Sequence, residues 1–108
     1  MGRQVRRGDV RWYEFAKPDK RRPVLVLTRD SALEFLSDVT IAPITSTVRD
    51  IPSEVALGPE DGLPKACAVN LDHVQTVPVG RLGPRIARLD AACMVRVRAA
   101  LAFALGME

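Results

Sequence analysis

The run Pro23-Val24-Leu25-Val26-Leu27 is apolar at every position. A strand with one wet face alternates apolar and polar residues. An unbroken apolar run of strand length needs cover on both faces, so these residues predict a central strand. Proline opens the run, where no ladder donor is required. Two arginines, Arg21 and Arg22, stand directly before it. A charged pair at the mouth of a buried strand has two readings: a solvated loop, or a phosphate-binding guanidinium carried on a rigid scaffold.

The other segments are short and mostly of strand type. Residues 8–15 (GDVRWYEF) open on a glycine and are rich in aromatic and β-branched residues. Residues 31–36 suit a single helical turn capped by Asp30 or Ser31. Residues 38–46 (DVTIAPITS) return to strand character, with Pro43 predicting an edge or a bulge. Residues 53–58 form another strand, 58–62 a turn, 65–79 one or two strands, and 80–89 a bend or short strand. Asp90 caps one long helix over 91–105 that ends at Gly106. Its Met94, Val97, Leu101 and Leu105 repeat at helical spacing and predict the face turned to the core. The fold class is therefore mainly β with a C-terminal helix, a small, strongly bent sheet or β-barrel in one domain spanning residues 1–108.

Charge is unevenly spread. Residues 1–29 hold nine of the sixteen Lys and Arg against three acidic residues, a surplus of +6, and the remainder carries −3. Such asymmetry suits a phosphate-bearing partner and equally a solvated edge. Cys67 and Cys93 lack metal-ligand spacing and read as buried thiols of a reducing cytoplasm. No apolar stretch reaches membrane-span length, so no membrane role is expected. No nucleophile elbow or glycine-rich phosphate loop is present. His73 is the single histidine, which leaves no pair for a metal site or a two-histidine ribonuclease. Arg22, the hydroxyls of Thr45 and Ser46, and Asp72 within NLDHVQT remain as candidates.

In series, RRGDVRWYEF, RRPVLVL, VTIAPITS, AVNLDHVQTV and the closing amphipathic helix resemble the MazF/PemK family of bacterial toxins. The resemblance spans nearly the whole chain. It implies an SH3-like small β-barrel of the PemK/CcdB kind with a C-terminal helix. It further implies a homodimeric endoribonuclease that cuts single-stranded RNA at short sequences and is silenced by a cognate antitoxin. The family's arginine before proline falls on Arg22, and the threonine at the end of its "IT" strand falls on Thr45. In one branch an arginine stands where this chain has Asn70, while the aspartate is kept as Asp72. The family often has glutamine at the position of His73. The loop between the first two strands lacks the Gly-Ser-Glu stretch common in relatives.

By this resemblance, cleavage needs no metal or other cofactor. The 2′-hydroxyl attacks the neighbouring phosphate and leaves a 2′,3′-cyclic phosphate and a 5′-hydroxyl. Arg22 would stabilise phosphate charge, Thr45 would donate to a non-bridging oxygen, and Asp72 or His73 would supply the base. Arg7, Lys17, Lys20, Arg21, Ser46, Asn70 and Gln75 are the expected RNA contacts. Two non-catalytic readings compete. One is a CcdB-like toxin that poisons DNA gyrase through the end of its helix. The other is an SH3-like binding module using Trp12 and Tyr13.

Overall fold

A computed structural model describes residues 5–16 and 21–108. Seven strands run as β1 (Asp9–Glu14), β2 (Arg21–Val26), β3 (Asp38–Thr45), β4 (Glu54–Leu57), β5 (Cys67–Asn70), β6 (Gln75–Pro78) and β7 (Arg85–Arg88). The helices are the one-turn α1 (Asp30–Leu33) and the long α2 (Ala91–Leu105). All pairings are antiparallel, in the order β4-β5-β3-β2-β1-β7, with β6 also pairing β3. The result is a strongly curled, mainly β sheet with a C-terminal helix.

β2 lies between β1 and β3, and Val24, Leu25 and Val26 are fully buried. The two parities of this strand feed two cores. Leu25 joins Val10, Ala42, Ile44 and Val69 under α2, while Val24 and Val26 join Tyr13, Val39, Ile41 and Val77. That is the two-sided burial its composition requires.

Pro43 does not sit at an edge. β3 has β2 on one side and β5 and β6 on the other. Thr40 N–H donates to Thr28 Oγ1 at 2.8 Å, and its carbonyl accepts from Leu27 N at 2.9 Å, both on the β2 side. Backbone polar groups alternate sides along a strand, so Pro43 turns its donor-less nitrogen the other way. There the pairing passes from β6, ending at Ile41↔Gln75, to β5, beginning at Ile44↔Val69. The proline occupies the seam between two partners, where no donor is demanded.

The core face of α2 is rotated from the expected stripe. Cys93, Val97 and Ala100 are buried, with Met94, Leu101 and Ala104 packed beside them, whereas Leu105 is 56% exposed. Small residues at 93 and 100 let the helix lie close to the sheet. Its cap is as expected: Asp90 Oδ1 accepts from Cys93 N at 2.8 Å, and Gly106 ends it at φ 70°. The cap of α1 is not. Asp30 is the first helical residue, Arg29 holds the cap position, and the Asp30 carboxylate accepts from Arg7 N at 2.8 Å. Among the described residues no helix is long and apolar enough to cross a membrane.

Candidate active site

The β2–β3 ladder runs Val26↔Ile41, Leu25↔Ala42, Val24↔Pro43. Leu27 directs its N–H to β3, so Pro23, four residues earlier, presents its nitrogen to the same side and has no proton to give. A rung beyond Val24↔Pro43 would need that proton. Past this point the strands border a groove of about 460 Å³ lined by Arg21, Arg22, Thr45, Ser46, Trp12 and Lys65, with Pro23, Ile44, Leu63, Pro64 and Cys67 as its apolar lining. Proline thus does more than set the strand's entry: it ends the ladder where the arginine begins.

Extending the register by two residues sets Arg22 opposite Thr45. Thr45 Oγ1 accepts from Thr47 N at 3.1 Å. This short-range bond orients the hydroxyl at the strand end, and an oxygen accepting there keeps its own hydrogen for donation. Arg22 is half-buried and also lines a second groove of about 300 Å³, with Phe15, Pro43, His73 and Gln75. One guanidinium therefore borders Thr45 and Ser46 on one side and His73 and Gln75 on the other.

His73 ends a 3₁₀ turn, Leu71–His73, that joins β5 to β6. Asn70 caps it: its Oδ1 accepts from Asp72 N at 3.0 Å, and its Nδ2 lies 3.2 Å from His73 Nδ1. The first bond fixes which way the amide faces. An amide nitrogen only donates, so Nδ1 is the acceptor and the ring proton sits on Nε2. Asn70 is 7% exposed and acts through this orientation. Asp72 goes elsewhere: Ser53 Oγ donates to its Oδ2 at 2.6 Å, with Ser53 buried on the β4 side. Asp72 lines neither groove.

The expected basic cluster is spread over several places. Arg21 stays at the groove, its guanidinium 4.5 Å above the Trp12 ring. Arg7 lies at the far end of β2, where its Nε donates to the Leu27 carbonyl at 2.9 Å. Arg6 and Arg11 border a separate hollow with Arg85 and Arg88. Lys17 and Lys20 lie outside the described residues. Leu63, Pro64 and Lys65 escaped the sequence reading of the site. Leu63 and Pro64 fall between the turn at 58–62 and the strand region that begins at Lys65, and only the fold brings them to the mouth of β2. Both cysteines are free and buried. Desolvation, then the Asp61 carboxylate, pushes each thiol above its ordinary pKa, so Cys67 is a protonated, apolar part of the lining. Among the described residues no group of His, Cys, Asp and Glu could hold a metal ion.

Residues 6–105 match the family described as PemK-like, MazF-like toxin of type II toxin–antitoxin system. A curated relative from Mycobacterium tuberculosis, "Probable endoribonuclease MazF5", is 48% identical over 84 residues, covering 77% of this chain and 76% of its own. The solved structure of Mycobacterium tuberculosis toxin MazF-mt6 superposes with a TM-score of 0.85 at 36% identity, over 93% of this chain and 98% of that one. A mycobacterial endoribonuclease solved in complex with its cognate antitoxin gives a TM-score of 0.86 at 31% identity, covering 96% and 97%. Motif order and the curled sheet agree with this match, and the chain belongs to the PemK-like, MazF-like family of type II toxin–antitoxin toxins.

Proposed function

We propose that this chain, a MazF-type endoribonuclease, cuts single-stranded RNA by intramolecular attack at the mouth of β2, without a metal. The 2′-oxygen–phosphorus bond forms as the bond to the 5′-oxygen breaks. The products are a 2′,3′-cyclic phosphate and a 5′-hydroxyl. Arg22 holds the non-bridging oxygens with donors fixed in one plane and a charge it does not lose. Thr45 donates a further hydrogen bond to the same phosphate. His73 donates a hydrogen bond from Nε2–H to the departing 5′-oxygen, which takes its proton from water, and the 2′-hydroxyl proton passes to water. Asp72 is a positioning residue: through Ser53 and the Asn70 cap it holds the turn that carries His73.

The observation that carries this reading is that Arg22 lines two grooves at once, between Thr45 and His73. A phosphate on Arg22 then has a hydroxyl donor on one side and an imidazole N–H donor on the other. The working unit is taken to be a homodimer silenced by a cognate antitoxin. The exposed apolar side chains Phe35 and Leu36 supply surface for assembly.

The test is cleavage of labelled single-stranded RNA. Replacing the 2′-hydroxyl at the cut position by hydrogen should stop cleavage while binding persists, and EDTA should change nothing. Efficient cutting of the deoxy-substituted strand sinks the mechanism. A chain that cuts no RNA returns the question to the two non-catalytic readings.

A further inference from the structure

The basic residues that left the groove meet somewhere else. Asp9 is fully buried, and a buried carboxylate needs partners. Arg88 Nε donates to its Oδ1 at 2.8 Å, Arg6 N donates to its Oδ2 at 3.0 Å, and Arg11 Nη1 lies 3.7 Å from Oδ2. Arg11 is further anchored by its Nε, which donates to the Gly83 carbonyl at 2.7 Å. Above this carboxylate is a hollow of about 570 Å³ lined by Arg6, Arg11, Arg85 and Arg88. Among the described residues, four cations border one carboxylate. Structure demands fewer: Asp9 takes the side chains of Arg88 and Arg11, and of Arg6 only the backbone. The guanidinium of Arg6 and that of Arg85 are not called on by Asp9.

The hollow is in register with the candidate active site. Asp9, Arg11 and Tyr13 alternate onto one face of β1. Their cross-strand partners are Arg88, Arg85 and Arg22 respectively. Arg81 places its guanidinium 5.7 Å from the centre of the Tyr13 ring and fills the interval. From Asp9 to Tyr13 is four residues of strand, about 13 Å. A cationic row therefore leads from the β1–β7 edge to the residue proposed to hold the scissile phosphate.

Resting on the nuclease reading above, we infer that this row is a second RNA-binding site, which grips backbone phosphates of the substrate several nucleotides from the cut. A row of arginines with no base-sized apolar lining at its far end reads charge and spacing, not sequence. It gives long strands an affinity that short ones lack.

The test separates length from chemistry. Arg6→Gln with Arg85→Gln removes two charges and leaves both side-chain partners of Asp9 in place. The probes are 2′-O-methyl oligouridines of four and twelve nucleotides, which cannot be cut by 2′-attack. The expected result is that the unaltered protein binds the twelve-mer with the steeper salt dependence. The double variant should lose about 1.4 from the slope of log K against log salt on the twelve-mer, at about 0.7 per phosphate contact. The four-mer should lose nothing, and the melting temperature should hold. That result stands even for a protein that cuts nothing, which would overturn the nuclease reading alone. An unchanged slope on the twelve-mer overturns the second site. So does an equal loss on both lengths. Weakened binding of a polyglutamate peptide with RNA binding intact also overturns it, by assigning the row to an acidic polypeptide.

Discussion

Arg88 and Arg22 both sit opposite a β1 residue on the same face of the sheet, yet they meet opposite surroundings. Arg88 meets a carboxylate with no exposure at all and forms a 2.8 Å ion pair. Arg22 stands across from Tyr13, at the end of a broken ladder and on the border of two grooves. The first arginine is held by a buried charge that would be costly to leave alone. The second stands on a strand that two faces of core keep rigid. A guanidinium at the border of two grooves is placed to meet a ligand, and one bound to a buried carboxylate is committed to the fold.

The largest expected effect lies at the committed end. Asp9→Ala removes a fully buried carboxylate that accepts two hydrogen bonds and a 3.7 Å ion pair, and β1 loses its side-chain tie to β7. Charge-assisted hydrogen bonds of this kind contribute about 1.5–3 kcal/mol each when lost from one side. Since Arg88 and Arg11 can regain water, a net loss of about 3 kcal/mol is expected. For a chain of this size that is a fall of 10 °C or more in melting temperature. Urea denaturation with an unchanged m-value checks it, and a shift under 3 °C would show that Arg88 and Arg22 are not held so differently.

Arg22→Ala should show the reverse pattern. The melting temperature should move by a few degrees at most, while RNA cleavage drops by about a hundredfold or more. Thr45→Val keeps shape and removes the hydroxyl. Its expected loss is about tenfold to a hundredfold in single-turnover rate, with circular dichroism unchanged. Full activity in Arg22→Ala would place that arginine beside Arg88 as a structural residue.

How much of this was legible in the chain depends on the range of the interaction. Arg22-Pro23 and the unbroken run behind it could be read because strand burial and proline chemistry are local. The Asp90 cap and the Gly106 stop were legible for the same reason. Pro43 misled, since a proline signals a missing donor but not which of two neighbours would have wanted it. The stripe on α2 was displaced by one position because Cys93 and Ala100 are small, and size at a helix contact follows from the partner surface. Charge density in residues 1–29 pointed to one basic patch, and the fold divided it. Arg85 and Arg88 entered that division from the other end of the chain, a pairing of residues more than seventy positions apart that no local pattern carries.

Asp72 tests the boundary between the two kinds of placement. Its carboxylate is exposed, is held by Ser53 Oγ at 2.6 Å and lines neither groove. Asp72→Asn should retain that hydrogen bond as an acceptor. It should cost under 1 kcal/mol and change cleavage less than about threefold. A loss as large as that of Arg22→Ala would make Asp72 the general base and His73 its accessory. Rescue by Asp72→Glu would then separate proton transfer from positioning.

Arg21 is a third case, and it carries the smallest expected effect. It pairs with neither a buried carboxylate nor the strand ladder's core, but lies 4.5 Å above Trp12 at the rim of the groove. A cation over a half-buried indole contributes about 0.5–2 kcal/mol, enough to bias the side chain without fixing it. Arg21 is therefore poised over the groove yet free to follow a moving backbone. Arg21→Ala should leave the cleavage step itself almost untouched. It should weaken RNA binding a few-fold and lower the salt slope by about 0.7, the signature of one phosphate contact on a single strand. Trp12 supplies the readout, because RNA that draws Arg21 away changes the indole's surroundings. Fluorescence should respond to RNA in the unaltered protein and respond less in Arg21→Ala. If Arg21→Ala instead lost catalysis with binding intact, the scissile phosphate would belong one residue earlier, and Arg22 would be the arginine that belongs to the fold.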